Sequence, residues 1–340
     1  MILITGATGL VGSHLALHLA QSSGIGSETI RAIYRNYSGI EKTKAVFSLY
    51  RKSDLFQKIE WIKADIIDIP SLEAAFNNID YVYHCAASIS LDPAAENLLR
   101  KTNIEGTANI VNLCLSHKVK KLCYVSSIAA LGDLKPHETN LTEETEWNPE
   151  KPHSDYAISK YGGEIEVNRG QQEGLQTVIV NPGVIIGPTP NHREWNSCSG
   201  EIFKRVANGL LFYSKGTTGF ISVNDVVKIM AALMETEISG ERFILTSQNI
   251  SYEKLLQMIA DAMKVKRPSI YGRPWMTEIS WKVDWLISAI FLTRRKFPKT
   301  LARAIHNTDL ISNDKIKTVL KYEFDGIEEY INKIAPYYRK

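Results

Sequence analysis

The chain is expected to be an α/β protein, a doubly wound parallel sheet followed by a smaller, mostly helical C-terminal region. Three observations lead there. An apolar strand-type run, Met1-Ile2-Leu3-Ile4-Thr5, opens directly into the glycine turn Gly6-Ala7-Thr8-Gly9-Leu10-Val11-Gly12. Strand and helix patterns then alternate to about residue 181, an order that favours parallel pairing through crossover helices. After Pro182 the alternation loosens, with 191–197 and 216–219 loop-like on either side of a helical stretch near 201–208, and residues 250–335 read as mostly helical.

The first strand, turn and helix carry the earliest functional signal. Leu15, Leu17 and Leu19 mark a helix directly after the glycines. A glycine without Cβ lets backbone approach a phosphate, and amides at the start of the helix meet its charge. The spacing G-x-x-G-x-x-G is a variant of the dinucleotide-binding G-x-G-x-x-G; the competing reading is a tight turn needing positive φ. Gly6, Thr8, Gly9, Leu10, Val11 and Gly12 are therefore the expected pyrophosphate cradle. The second strand, 29–34, ends at Arg35-Asn36, with no Asp or Glu at positions 34–36. An acidic residue there would bind the ribose 2′-hydroxyl of NAD, whereas an arginine accommodates the 2′-phosphate of NADP. Arg35 is read as the phosphate clamp, with Lys42 or Lys44 as helpers, against the alternative of a solvated strand-end arginine. NADP is preferred over NAD.

Further along, Ser154-Asp155-Tyr156-Ala157-Ile158-Ser159-Lys160 places Tyr156 and Lys160 one helical turn apart on one face. A free phenol has a pKa of about 10. A neighbouring ammonium favours the phenolate and brings proton exchange toward neutral pH. Such a pair protonates an alkoxide or deprotonates an alcohol. The competing reading is a core-edge tyrosine beside a solvated lysine.

With the glycine turn and the Tyr/Lys pair in one chain, the sequence resembles the extended short-chain dehydrogenase/reductase family, within the NAD-dependent epimerase/dehydratase superfamily, over essentially its whole length. The resemblance implies a Rossmann-type sheet and assigns further roles. Ala64-Asp65-Ile66 looks like the adenine-contacting Asp and its neighbour, so Asp65 and Ile66 join the cofactor set. Tyr81-Val82-Tyr83-His84-Cys85-Ala86-Ala87 looks like the fourth strand and the small-residue loop of Cys85, Ala86 and Ala87 beneath the cofactor. Asn103 matches the helix asparagine that supports the active site. Tyr124-Val125-Ser126-Ser127 matches the strand delivering the catalytic hydroxyl, and Ser127 is preferred because it lies five residues before Gly132. Asn181-Pro182-Gly183-Val184 matches the turn at the nicotinamide carboxamide, adding Pro182, Gly183 and Val184. Tyr156 and Lys160 would be both catalytic and cofactor-binding. His84 reads as a strand-end histidine satisfied by backbone. By the same resemblance residues 1–181 form the nucleotide-binding domain, with 221–235 returning to it, while 182–220 and 236–340 interleave as the substrate region.

Composition sets mild bounds. At 340 residues and 44% hydrophobic content the chain buries a sizeable core. A net charge of +3 implies no nucleic-acid or anionic-membrane partner by electrostatics alone. Cys85, Cys114, Cys123 and Cys198 lack metal-type spacing and read as reduced thiols of a cytoplasmic protein without a signal peptide or metal. The stretch 275–292 holds three tryptophans and an apolar run, interrupted by Glu278, Lys282 and Asp284 and followed by Arg294-Arg295-Lys296. Spanning a bilayer takes about 20 uninterrupted apolar residues. An amphipathic helix over the substrate pocket is the preferred reading; peripheral membrane contact and a subunit contact are the alternatives. The family also implies a homodimer through helices near 94–117 and 154–174.

The substrate reading comes from the resemblance. Sugar-nucleotide members carry an arginine where Thr218 stands in Thr218-Gly219-Phe220-Ile221-Ser222-Val223, and the dehydratase triplet is replaced by Ser127-Ile128-Ala129. Phe297-Pro298-Lys299-Thr300 and Ser312-Asn313-Asp314-Lys315 look like the dihydroflavonol reductase and 3β-hydroxysteroid dehydrogenase branch. The implied activity is an NAD(P)-dependent oxidoreductase, NADP-preferring, acting on a carbonyl or alcohol of a small, largely apolar molecule. The alternatives are a nucleotide-sugar epimerase or dehydratase with tightly bound NAD, and a non-catalytic NAD(P)-binding sensor.

Overall fold

The computed structural model describes residues 1–22, 29–90, 92–190, 198–291, 293, 295 and 297–338. The loop expected at 191–197, the side chain of Cys198, and Leu292, Arg294 and Lys296 of the apolar-basic stretch lie outside the described residues.

The first half runs β1 (Ile2–Thr5), α1 (Leu10–Gln21), β2 (Ile30–Tyr34), α2 (Tyr37–Leu49), β3 (Ile59–Lys63), α3 (Ile69–Ala75) and β4 (Tyr81–His84). It continues through α4 (Glu96–Leu99), a π-helical stretch Arg100–Glu105, α5 (Gly106–Ser116), β5 (Lys121–Val125), β6 (Asn140–Leu141), α6 (Asp155–Gln172), β7 (Gln176–Pro182) and β8 (Val184–Ile186). The second half is α7 (Cys198–Ala207), β9 (Phe212–Tyr213), β10 (Thr217–Ser222), α8 (Val223–Met234), β11 (Glu241–Leu245), β12 (Gln248–Ser251) and α9 (Tyr252–Met263). It closes with β13 (Ile270–Tyr271), α10 (Pro274–Phe291), α11 (Lys299–Ala304), β14 (Leu310–Ile311), α12 (Asp314–Leu320) and α13 (Ile327–Ile334).

Seven parallel strands make the main sheet in the order β11-β7-β5-β4-β1-β2-β3. β1 is fully buried, as a central parallel strand covered on both faces must be. Its side chains alternate: Ile2 and Ile4 pack with Leu15, Leu19 and Met230, while Leu3 packs with Val82, Leu122 and Val111 on the other face. Strand order reverses between β1 and β4, so a crevice opens beyond their C-terminal ends, where doubly wound sheets bind ligands. α8 returns across α1, started by Ser222, whose hydroxyl accepts a bond from the Asp225 amide at 3.0 Å.

Two stretches differ from the sequence reading. Residues 216–219, expected as loop, hold the start of β10, because Thr217, Thr218 and Gly219 pair with Ser251, Ile250 and Asn249 of β12. Pairing with β12 overrides the local glycine signal. β11, inside the segment assigned to the substrate region, is the seventh strand of the main sheet, since its Phe243, Ile244 and Leu245 are buried against β7. A second core gathers Phe203 of α7, Phe220 of β10, Leu255 and Ile259 of α9 and Ile331 of α13. α10 stands apart: it packs on α11, Thr277 is its one buried residue among those described, and most of its large apolar side chains face outward. No helix among the described residues is long and apolar enough to cross a membrane.

Candidate active site

The glycine turn sits at the crevice. Gly6 has φ +67°, and a Cβ there would lie 2.6 Å from the Ala86 nitrogen and the Cys85 carbonyl carbon. Only glycine lets the end of β1 lie flush against the loop after β4. The Gly9 amide donates to the Gly6 carbonyl at 3.0 Å, the Ala86 amide to Thr5 Oγ1 at 3.2 Å, and Thr43 Oγ1 to the Ala7 carbonyl at 2.9 Å. These bonds fix the turn from three sides.

A cavity of about 320 Å³ opens in front of it. Nine of the cofactor residues named from sequence line it: Gly6, Thr8, Gly9, Arg35, Asp65, Ile66, Cys85, Ala86 and Ala87. Lys42 lines it too, whereas Lys44 is not among its lining residues. Leu10, Val11 and Gly12 form the first turn of α1 behind the glycines, where a Cβ on Gly12 would meet the Gly6 carbonyl. Pro182, Gly183 and Val184 lie at the junction of β7 and β8, outside the cavity lining. Asn36, Ser38 and Gly39, not singled out by sequence as binders, add the start of α2. The missed signal was the helix onset itself, since a helix N-terminus directly after the arginine brings unpaired amides to the same corner. A cradle that a Cβ would fill, two helix N-termini and a basic corner fit a dinucleotide's adenosine, ribose and phosphates.

α6 carries the proton-transfer candidates. Ser154 caps it, its hydroxyl accepting from the Ala157 amide at 3.1 Å. Tyr156 is half-buried in the first turn, and Lys160 and Glu164 follow it at successive turns, both buried. Ser159 Oγ donates to the Tyr156 carbonyl at 2.8 Å and accepts from Asn103 Nδ2 at 2.9 Å. Asn103 in turn holds Ser88, donating to its carbonyl at 2.9 Å and accepting from its amide at 2.7 Å. One buried asparagine thus ties α6 to the loop beneath the crevice. It lies in the π-helical stretch, a local widening that recurs at functional sites.

Lys160 Nζ donates to Tyr124 Oη and to the Val125 carbonyl, both at 2.8 Å, so two of its three donors are engaged by β5. Burial lowers its pKa to about 7, against the opposing pull of Glu164 and Cys85. Glu164 accepts from Asn181 Nδ2 at 2.6 Å and pairs with Arg242 of β11 at 3.4 Å. Burial pushes its carboxyl up, while Asn181, Arg242 and Lys160 pull it down. Sequence reasoning missed Glu164, although an acid four residues after Lys160 lies on the same helical face. Gly163 makes the close approach possible: a Cβ there would meet Tyr124 Oη and come within 2.8 Å of the Asn103 carbonyl.

Ser127, two residues beyond β5, is half-exposed, its hydroxyl accepting from the Ala129 amide at 3.1 Å and its carbonyl from Asn181 Nδ2 at 2.9 Å. The short turn it caps, Ile128–Ala130, packs against α6. Ser126 is buried. His84 corrects one expectation. It is satisfied by hydroxyls rather than backbone, with Nδ1 2.7 Å from Thr5 Oγ1 and Nε2 3.0 Å from Thr107 Oγ1. Thr107 spends its proton on the Asn103 carbonyl, which leaves Nε2 as the histidine's donor. Burial, helped by Lys160, lowers its pKa to about 3, so it is a neutral strut stacked on Tyr124.

Comparison with known proteins agrees with this geometry. Residues 2–245 match the model of the NAD dependent epimerase/dehydratase family. The chain belongs to that family. The match ends at Leu245, the last residue of β11 and so of the main sheet. This epimerase/dehydratase-family chain is 26% identical over 319 residues to the sterol demethylase protein B of Methylococcus capsulatus, covering 92% of its own length and 88% of the relative. It is 28% identical over 281 residues to a putative dihydroflavonol 4-reductase of Synechocystis, covering 80% and 75%. In fold it resembles the UDP-glucose 4-epimerase of Thermotoga maritima, with a TM-score of 0.75 at 20% identity over 99% of this chain and 98% of that one.

Proposed function

We propose that the protein is an NADP(H)-preferring oxidoreductase acting on a carbonyl or alcohol of a small, largely apolar substrate. The observation that carries the reading is Thr218, uncharged where sugar-nucleotide members would hold a diphosphate with arginine. A diphosphate without a cationic partner is poorly held in a partly dry pocket. The similarity to a dihydroflavonol 4-reductase supports the same choice. Arg35, Ser38 and the start of α2 around one cavity corner, with no acid at 34–36, support NADP over NAD.

A nicotinamide bound along the crevice would supply or accept the hydride. Ser127 polarises the substrate oxygen, and Tyr156 delivers the proton to it from Oη. Lys160, held to β5 by two of its donors, keeps the third for the cofactor ribose and the phenol's field. Ser159, itself held by Asn103, bonds the Tyr156 carbonyl and so ties the start of α6 to the loop at Ser88.

The test pairs binding with turnover. NADPH raises the melting temperature and UDP-sugars do not. Turnover on a panel of apolar carbonyls falls by at least about 100-fold in Tyr156→Phe, while NADPH affinity stays within about twofold, because phenol and glycine turn serve separate steps. Stabilisation by UDP-glucose, with NAD retained through purification, would move the chain to the epimerases. Cofactor affinity without turnover on any carbonyl would make it a sensor.

A further inference from the structure

An amphipathic helix ordinarily turns its apolar stripe to the core. α10 does the reverse. Trp275, Ile279, Val283, Leu286 and Ile290 recur every three or four residues and are 59%, 53%, 48%, 51% and 64% exposed. Its polar side faces the protein instead. Thr277 Oγ1 meets His306 Nε2 at 3.0 Å, Asp284 accepts from the Phe297 amide at 3.2 Å, and Glu278 pairs with Arg303 at 3.2 Å. These contacts fix the helix with the stripe outward.

Charge is distributed to match. Residues 264–303 hold ten Lys and Arg against two Asp and Glu, a net of +8, which leaves the remaining 300 residues with thirty against thirty-five, a net of −5. The chain's overall +3 conceals this separation. Both acids of the segment, Glu278 and Asp284, lie within 4 Å of an arginine. Lys282 is exposed beside the stripe, and Lys266 and Arg273 are exposed just before the helix.

A second copy of the chain fits this patch poorly. A two-fold interface sets a patch against itself, so it would bring like charge against like around the apolar stripe. An anionic lipid surface answers both properties. Indole and aliphatic side chains enter the boundary between headgroups and acyl chains, while Lys and Arg stay with the phosphates.

We propose that the outward face of α10 docks the protein on an anionic membrane surface, with the helix lying in the plane of the interface. The proposal is independent of the substrate reading above.

The test is co-sedimentation of the full chain with vesicles of phosphatidylcholine alone or mixed with phosphatidylserine. The protein binds the mixed vesicles, at least about tenfold more weakly the neutral ones, and less as salt rises. Ile279→Glu combined with Ile290→Glu removes that binding, with melting temperature and NADPH affinity unchanged. Failure to bind the mixed vesicles overturns the proposal, as does undiminished binding by the double variant. A native dimer that the double variant converts to monomer, without vesicle binding by either, assigns the face to a second copy instead.

Discussion

The crevice beyond the C-terminal ends of β1 and β4 and the outer face of α10 are built by opposite rules. At the crevice, polar groups are buried and paired: His84 between two threonines, Asn103 between Ser88 and Ser159, Lys160 against β5 and Glu164 against Asn181. On α10 the polar groups anchor the helix and the apolar ones meet solvent. Buried pairing makes geometry unique, because any displaced partner leaves an unsatisfied group in a low-dielectric interior. An exposed stripe sets no such geometry. It suits a partner that has area and charge but no fixed shape.

That contrast predicts unequal responses to small changes. Gly163→Ala adds one methyl against Tyr124 Oη and the Asn103 carbonyl and is expected to cost about 1–3 kcal/mol of stability. Ile279→Ala removes far more volume from a half-exposed position and should stay within about 0.5 kcal/mol. Urea unfolding of both variants measures the difference. Equal costs would mean that α10 is packed against something in solution.

A smaller effect sharpens the crevice side. The Glu164 carboxylate favours the ammonium of Lys160, whose pKa burial lowers to about 7. Cofactor binding that uses the ammonium is complete below that pH and weakens as pH rises through it. Glu164→Gln removes the supporting charge, so the midpoint should move to lower pH in a fluorescence titration of NADPH binding against pH. An unmoved midpoint would show that Glu164 acts on Asn181 and Arg242 alone.

The crevice was legible because its residues lie in short runs with strong local signals. The glycine turn, Arg35, Asp65 and the Cys85-Ala86-Ala87 loop line one cavity, and Tyr156 and Lys160 share one helix face. What escaped depends on distant partners. Glu164 gains meaning only when Asn181 and Arg242 arrive from β7 and β11. The π-helical setting of Asn103 has no periodicity signature, and the hydroxyl partners of His84 come from β1 and α5. The start of β10 reads as loop until β12 pairs with it. For α10 the sequence showed an apolar face but not its direction, which Thr277, Glu278 and Asp284 decide through contacts with residues 297–306.

The proposed preference for NADPH is tested most directly by the affinity of the native chain and of Arg35→Ala for NADPH and for NADH. The native chain is expected to bind NADPH more tightly than NADH. The variant should lose about 10–100-fold in affinity for NADPH, with NADH nearly unaffected, as for a charge-assisted contact to the 2′-phosphate. Equal or tighter binding of NADH by the native chain, or an equal loss for both cofactors, would contradict the proposal.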